Sequence, residues 1–259
     1  MIRRDAPDGS TWILISQLDH ARVSAALAAY WGADGVAPLV DRKALLWAIE
    51  HHDDGWREWE QSPDVEPKSG RPRSFTEMAL ADTLAIWRRS IELTGQHDPL
   101  SGYVVAGHFC RLLESFADRW QHDPRRVDAE HFLQTHRDAM ARWLAAWLAQ
   151  SSDHTPTLAE RALAQLQLFD ALSLYFCCTP TLEPTKFATP DGAVITLTRE
   201  PDGRFTTCTP PAFIVGKLNV EIFGRQVRAR QYADRAELAA AGGASKVLAT
   251  TVIDATANR

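Results

Sequence analysis

Apolar residues recur at helical spacing along most of the first two thirds of the chain. In the first such segment Leu18, Val23 and Leu27 share one face, and Gly32 follows as a helix-terminating residue. Six segments with this pattern predict six helices, at residues 18–31, 41–53, 75–93, 100–120, 128–150 and 158–178. Residues 61–74 contain three prolines and a glycine, so we expect a loop there.

The pattern changes after Lys186, where short runs rich in β-branched residues replace the helical spacing. These runs predict two hairpins and a last strand, at residues 193–198 with 204–208, 218–223 with 226–230, and 247–253. Pro201-Asp202-Gly203 and Gly224 would supply the two turns, and residues 234–241 a short helix. Near the start of the chain, residues 12–15 are an apolar run that we interpret as an extended lead-in or a small strand.

The predicted fold class is therefore mainly α, with a small β-rich appendage at the C-terminal end of a bundle of about six helices (α+β). We expect a helical domain at residues 1–182 and a β-rich subdomain at residues 183–259. The second part has only about 75 residues, which is small for an independent core, so it should pack on the helices.

Composition and charge narrow the class of protein. Of 259 residues, 45% are apolar and 24% charged, as in soluble globular proteins, and the net charge of −5 argues against a nucleic-acid partner. No uncharged apolar stretch reaches the roughly 18 residues that a membrane span needs. Arg3 and Arg4 are not followed by the apolar region of a secretory signal. The cysteines form no Cys-x-x-Cys pair, so we expect reduced thiols and a cytoplasmic location.

Two residues that could bind a metal or take part in catalysis lie at the end of the second predicted helix. His52 shares the apolar face of Leu45 and Ile49, and Asp53 follows it directly. A carboxylate beside an apolar face is costly to bury unless it is paired, hydrogen-bonded or bound to a metal. The two residues could simply cap the helix, but a negative charge is unfavourable at a helix C-terminus, so Asp53 fits that alternative poorly.

Asp170 lies among leucines in the most apolar predicted helix. Because a carboxylate at that position needs a partner, the alternatives are an arginine from another helix, Ser173, or a metal ion.

Two histidines lie on similarly apolar faces. His20 is in the first turn of the first helix, with Ser24 as a ready hydrogen-bond partner, and His108 follows Gly107. Helical proteins build metal sites from ligands that project inward from several helices. Imidazole and carboxylate ligands together suit Mn, Fe, Co, Ni or Zn better than Ca.

The order His, His-Asp, Asp on helices resembles the signature of the HD superfamily of metal-dependent phosphohydrolases. Here that order reads His20, His52-Asp53, Asp170. Four segments also look like a bacterial family of uncharacterised HD-like proteins, over nearly the whole chain: Gln17-Leu-Asp-His20, His52-Asp-Asp-Gly-Trp56, Gly107-His-Phe109 and Phe169-Asp-Ala-Leu-Ser173.

The resemblance implies an HD-domain-like helical fold that holds one or two divalent ions (Mn, Fe, Co, Ni, Zn or Mg). His20, His52, Asp53 and Asp170 would bind the first ion, and His108 is the best match for a ligand of a second. His131 and His136 lie five residues apart on one helix and do not share a face, so the second pair of histidines is incomplete.

The implied activity is hydrolysis of a small phosphorylated substrate by metal-activated water. Asp54 is predicted to orient or deprotonate that water, with a solvated turn residue as the alternative. Three cations, Lys68, Arg71 and Arg73, could reach over the site, and Trp56 and Trp59 could either line the pocket or fasten the loop to the core.

Two other functions stay open. An HD-like di-iron oxygenase would need two irons and His108 as a true ligand. A non-catalytic helical protein would bind a ligand or partner, with its tryptophans as anchors. A homo-oligomer is compatible with all three functions.

Overall fold

A layer of helices and one curled sheet form the computed structural model, which describes residues 1–33, 35–178, 180–201 and 203–255. The helices are α1 (Gln17–Ala29), α2 (Arg42–His51), α3 (Arg57–Gln61), α4 (Leu80–His97), α5 (Pro99–Ser115), α6 (Ala117–Trp120), α7 (Arg126–Leu148), α8 (Pro156–Cys177) and α9 (Arg235–Ala241). Short 3-10 helices lie at Asp54–Trp56 and Phe75–Glu77. The strands are β1 (Ile2–Asp5), β2 (Thr11–Ile15), β3 (Thr185–Ala188), β4 (Val194–Arg199), β5 (Phe205–Thr209), β6 (Lys217–Arg228) and β7 (Lys246–Asp254).

Each of the six predicted helices has a counterpart, with displaced ends. The segment predicted at 100–120 begins at Pro99, after the N-cap Asp98, whose side chain accepts hydrogen bonds from the amides of Leu100 and Ser101 at 2.8 and 3.3 Å. It is interrupted at Phe116, which separates α5 from α6. The segment predicted from residue 75 begins as a 3-10 turn, and α4 itself starts at Leu80.

Helix α5 is the central helix of this layer and packs against α2, α4, α7 and α8. Every residue from Leu100 to Cys110 is buried. A side chain at Gly107 would put its Cβ 2.5 Å from a methyl carbon of Leu163, so glycine allows α5 to lie close to α8 beside His108.

The prediction of a mainly α bundle with a small β appendage is wrong. About half of the chain is helical, and the strands form one seven-stranded sheet that curls into a half-barrel, so the fold is α+β. The strand order is β1-β2-β6-β7-β5-β4-β3, with β5 and β7 parallel and the other neighbours antiparallel. The sheet is larger than predicted because β1 and β2, from the start of the chain, extend it: Trp12 pairs with Val227 and Leu14 with Arg225.

The predicted hairpin around Gly224 is also wrong, because β6 runs through that residue without a turn. A Cβ on Gly224 would lie 2.7 Å from the carbonyl oxygen of Leu14, so this glycine serves the close approach of β2. The other predicted hairpin is present as β4 and β5, with Leu197 opposite Cys208. Of its predicted turn, Asp202 lies outside the described residues.

The sheet is tied to the two helices that carry His20 and Asp170. Strand β2 leads into α1 through the N-cap Ser16, whose hydroxyl accepts a hydrogen bond from the amide of Asp19 at 2.9 Å. At the other end, Arg4 of β1 donates to the carbonyls of Phe176 and Cys178 at 3.0 and 3.1 Å, where α8 ends.

Within the described ranges, no helix combines the length and hydropathy that a membrane crossing requires.

Candidate metal centre

His20, His52 and Asp170 form a group whose potential ligand atoms all lie within 4.8 Å of one another. His20 Nε2 is 2.9 Å from Asp170 Oδ1, and His52 Nε2 is 3.5 Å from the same oxygen. The three side chains come from the first turn of α1, the C-cap of α2 and the interior of α8. Both imidazoles are only 1% exposed, so the structure assembles a buried ligand group that could hold a metal ion.

The second ring nitrogen of His52 is held by the backbone. His52 Nδ1 lies 2.8 Å from the carbonyl oxygen of Ile49, and because a carbonyl only accepts, Nδ1 must be the donor. In the neutral ring Nε2 then carries the lone pair. Within the part of the chain that the structure describes, this buried nitrogen has no hydrogen-bond partner. A metal ion would satisfy it.

Serines hold the ring of His20 in the same way. His20 Nδ1 is 2.5 Å from the hydroxyl oxygen of Ser173, which donates its own proton to the carbonyl of Asp170 at 3.0 Å. Ser24 donates to the same hydroxyl at 2.8 Å. With Nδ1 held by Ser173, Nε2 is the nitrogen that faces Asp170, 2.9 Å from Oδ1. The serines therefore orient the imidazole so that its second nitrogen lies in the ligand group.

Asp53 lies directly beside the group. Its Oδ2 is 3.5 Å from His52 Nε2 and 3.9 Å from His20 Nε2, and its side chain is buried. Burial raises the pKa of Asp53, and the neighbouring histidines only partly oppose that effect. Burial also acts to raise the pKa of Asp170, but the imidazole of His20, hydrogen-bonded to Oδ1 at 2.9 Å, and the adjacent imidazole of His52 hold it well below its usual value.

The two carboxylates in turn control His52. Burial lowers the pKa of an imidazole, but Asp53 and Asp170 outweigh this effect and raise the pKa of His52 to about 9. The site therefore attracts positive charge, whether a proton or a cation.

His108 is adjacent to the group without being part of it. Its ring centroid lies 5.5 Å from that of His52, at an interplanar angle of 88°. Burial lowers the pKa of His108 to about 4, so the ring is neutral near pH 7. Its Nδ1 is buried and has no hydrogen-bond partner among the described residues.

The carboxylate of Asp54 has partners outside the ligand group. One carboxylate oxygen lies 2.9 Å from His51 Nδ1 and the other accepts a hydrogen bond from Arg57 at 2.9 Å. Asp54 is not among the described residues that line the cavity at the site, so its role with the attacking water stays a prediction.

The three cations that could reach over the site do not contribute to its cavity as the structure describes it. Lys68, Arg71 and Arg73 are not among the described residues that line the cavity, and Arg73 instead lies 3.6 Å from a carboxylate oxygen of Asp64. Of the two tryptophans after the doublet, Trp56 lines the cavity, and Trp59 packs edge-on against it with ring centroids 5.6 Å apart.

The ligand group opens into a cavity of about 580 Å³. His20, Asp53, His108 and Asp170 contribute to its surface. Most of the remaining wall is apolar and comes from the 3-10 helix before α4 and from the region of α4, α5, α6 and α8: Phe75, Met78, Leu80, Trp87, Phe109, Leu112, Leu113, Phe116, Trp120 and Leu174. The sequence analysis missed this wall, because an apolar residue on a helix has the same signal whether it packs in the core or lines a pocket.

The fold and the site together define an α+β protein with a buried histidine and aspartate cluster at the base of an apolar cavity. By sequence the chain belongs to the family described as a protein of unknown function, DUF3891, which matches residues 1–229. That range contains every residue of the cluster. No curated protein and no solved structure matches the chain.

Proposed function

We propose that the protein is a metal-dependent hydrolase of the HD type, which uses one or two divalent ions to activate water against a small phosphorylated substrate. The observation that supports it best is the buried His52 Nε2, which lacks a hydrogen-bond partner among the described residues and lies 3.5 Å from oxygens of both Asp53 and Asp170. Nitrogen and carboxylate oxygens that converge in this way suit Mn, Fe, Co, Ni or Zn, and also Mg where water completes the shell.

The residues of the chain have separate tasks in this proposal. His20, His52, Asp53 and Asp170 hold the ion, with Ser173 and the carbonyl of Ile49 fixing the two imidazoles. A divalent ion bound there would lower the pKa of a coordinated water and polarise a phosphoryl oxygen. His108 lines the cavity, and its buried Nδ1, which has no hydrogen-bond partner among the described residues, would be a ligand for a second ion.

The proposed reaction consumes one water. The water oxygen forms a bond to phosphorus as the P–O bond to the substrate alcohol breaks. One proton of the water ends on the leaving oxygen, so the products are an alcohol and phosphate.

Metal content tests this proposal directly. Protein purified without chelator and without a metal-affinity column should contain about one or two equivalents of a divalent metal by elemental analysis. His52→Ala and Asp170→Ala should lose it because they remove ligands. His136→Gln is the matched control, since His136 is a buried histidine on α7 outside the ligand group.

Two results would contradict the proposal. One is unchanged metal content in both ligand variants. The other is wild-type protein that contains no metal and gains no thermal stability with Mn²⁺, Fe²⁺, Zn²⁺ or Mg²⁺. The second result would favour the non-catalytic binding protein.

An iron-dependent oxygenase is the second candidate, favoured by the unpartnered Nδ1 of His108 next to the group and by the apolar cavity. It requires iron near two equivalents, reduced to about one in His108→Ala. A single equivalent that His108→Ala leaves unchanged would exclude it.

A further inference from the structure

The wall of the cavity determines what kind of substrate the site can accept. Beyond the ligand group, side chains such as Phe75, Met78, Phe109 and Leu112 present carbon to the cavity. Among the described lining residues, Arg119 is the only cation, and it lies at the exposed end with its guanidinium 4.8 Å from the ring centroid of Phe116. Thr76, Thr83 and Asp123 are further polar residues of the described wall, and the larger apolar part offers no partners to the hydroxyls and charges of a nucleotide or sugar phosphate.

Unpartnered polar atoms flank the metal ligands at the inner end. Gln17 lies one helical turn before His20, and Trp56 lies three residues after Asp53; both residues line the cavity. The side-chain oxygen of Gln17 and the indole N–H of Trp56 are buried and have no hydrogen-bond partner in the described ranges. Both residues are more than nine-tenths buried, and a molecule bound in the cavity that they line would gain by supplying the missing hydrogen bonds.

Resting on the proposed function, we infer that the substrate is the phosphomonoester of an apolar alcohol. The phosphate lies at the histidine and aspartate cluster, where the Trp56 indole donates to a phosphoryl oxygen. Gln17 accepts the proton that the monoanion of a phosphomonoester carries. The aryl or medium-length alkyl group of the alcohol fills the apolar cavity, whose volume is in the range of sites for small organic molecules.

A series of non-hydrolysable phosphonates tests this inference. Methyl-, butyl- and octylphosphonate are titrated into Mn²⁺-loaded protein and their dissociation constants measured by calorimetry. Affinity should rise about fourfold for each methylene that the cavity removes from water. Inorganic phosphate should bind about as weakly as methylphosphonate.

Three variants separate the two ends of the substrate. Leu112→Asn should flatten the dependence on chain length. Leu144→Asn should leave that dependence unchanged, because Leu144 is a similarly half-buried helical leucine that does not line the cavity. Trp56→Phe should weaken every phosphonate by a similar factor, roughly fivefold, because it removes one hydrogen bond to the shared head group.

Equal affinity across the series for metal-loaded protein would overturn the inference and leave the proposed function standing. If instead the protein holds no metal, the proposed function fails. The same chain-length series run with 1-butanol to 1-octanol, read by thermal shift, then still tests the apolar cavity. No increase in stabilisation with chain length would overturn its assignment to an apolar group.

Discussion

At the scale of single residues, the site depends on groups that hold the ligands in place. His20 and His52 each use one ring nitrogen for a fixed hydrogen-bond partner in the protein, so the other nitrogen of each ring faces the ligand group. Rings oriented in this way lose little freedom when they bind a metal, which raises affinity. Ser173 is therefore part of the site although it is not itself a predicted ligand.

Replacing Ser173 should separate this orienting role from folding. Ser173→Ala removes the hydrogen-bond partner of His20 Nδ1 and should weaken metal binding about 10- to 100-fold, measured by competition with a chelator of known affinity. Ser101→Ala is the control, because Ser101 is equally buried but donates to the carbonyl of Ala44. Equal metal affinity in the two variants would argue that Ser173 only stabilises the fold.

Residue patterns predicted much of this site from the sequence alone. His20, His52 and Asp170 attract attention because each polar group lies on an apolar helix face, where a partner is needed. The same reasoning does not predict that Gln17 lines the site or that Asp54 is hydrogen-bonded to His51 and Arg57. Polar residues near helix ends are common, and only their neighbours in space show whether they have partners.

At the scale of elements, the turn after α2 decides where Asp53 and Trp56 lie. A Cβ on Gly55 would lie 2.1 Å from the carbonyl oxygen of Ile86 and 2.7 Å from the amide of Ser90, both in α4. The amide of Gly55 donates to the hydroxyl of Ser90 at 3.0 Å. This backbone contact places α4, and with it the start of the cavity wall, against the ligand turn.

Gly55→Ala should therefore harm both stability and metal binding. The clash is with backbone atoms that cannot rotate away, so we expect a loss of about 2–4 kcal/mol in the free energy of unfolding by urea titration. Gly243→Ala is the control, because a Cβ there would have no neighbour within 4 Å. A loss below about 0.5 kcal/mol in Gly55→Ala would contradict the close approach that we describe.

The elements themselves differ in how well they are predicted. Long helices such as α7 and α8 repeat their apolar spacing over many turns, so their existence is readable from the chain. Strands β1 and β3 have four residues each, too few for a pattern to emerge. Gly224 resembles a turn signal, yet it lies within β6 because its neighbour in space is Leu14, far away in sequence.

At the scale of the whole molecule, the sheet and the helices are joined around α8. Arg4 and Arg199, from opposite parts of the sheet, donate hydrogen bonds to the last carbonyls of this helix. Positive charge at a helix C-terminus is favourable, and it stabilises the helix that carries Asp170. One hydrophobic core includes residues from both layers, such as Phe169 and Leu197. The predicted division of the chain at residue 182 stays a prediction.

Arg4→Met should test this connection. The variant keeps much of the apolar stem but leaves the carbonyls of Phe176 and Cys178 without their donor, which should cost about 1–3 kcal/mol in the free energy of unfolding. Arg235→Met is the control on a surface helix, since Arg235 is exposed and lies 3.6 Å from Asp64. A similar small loss in both variants would mean that the end of α8 does not depend on Arg4.

The long helices, the pairing of β4 with β5 and the candidate ligands were all readable from the amino-acid sequence. All of these follow from local spacing and from the high cost of burying a polar group without a partner. Only the tertiary structure decided that β1 and β2 join strands from the other end of the chain. It also shows that His20, His52 and Asp170 meet, which the sequence indicated only through the family resemblance, and that an apolar cavity opens beside them. Those features depend on contacts between residues distant in sequence, and periodicity carries no information about which faces meet.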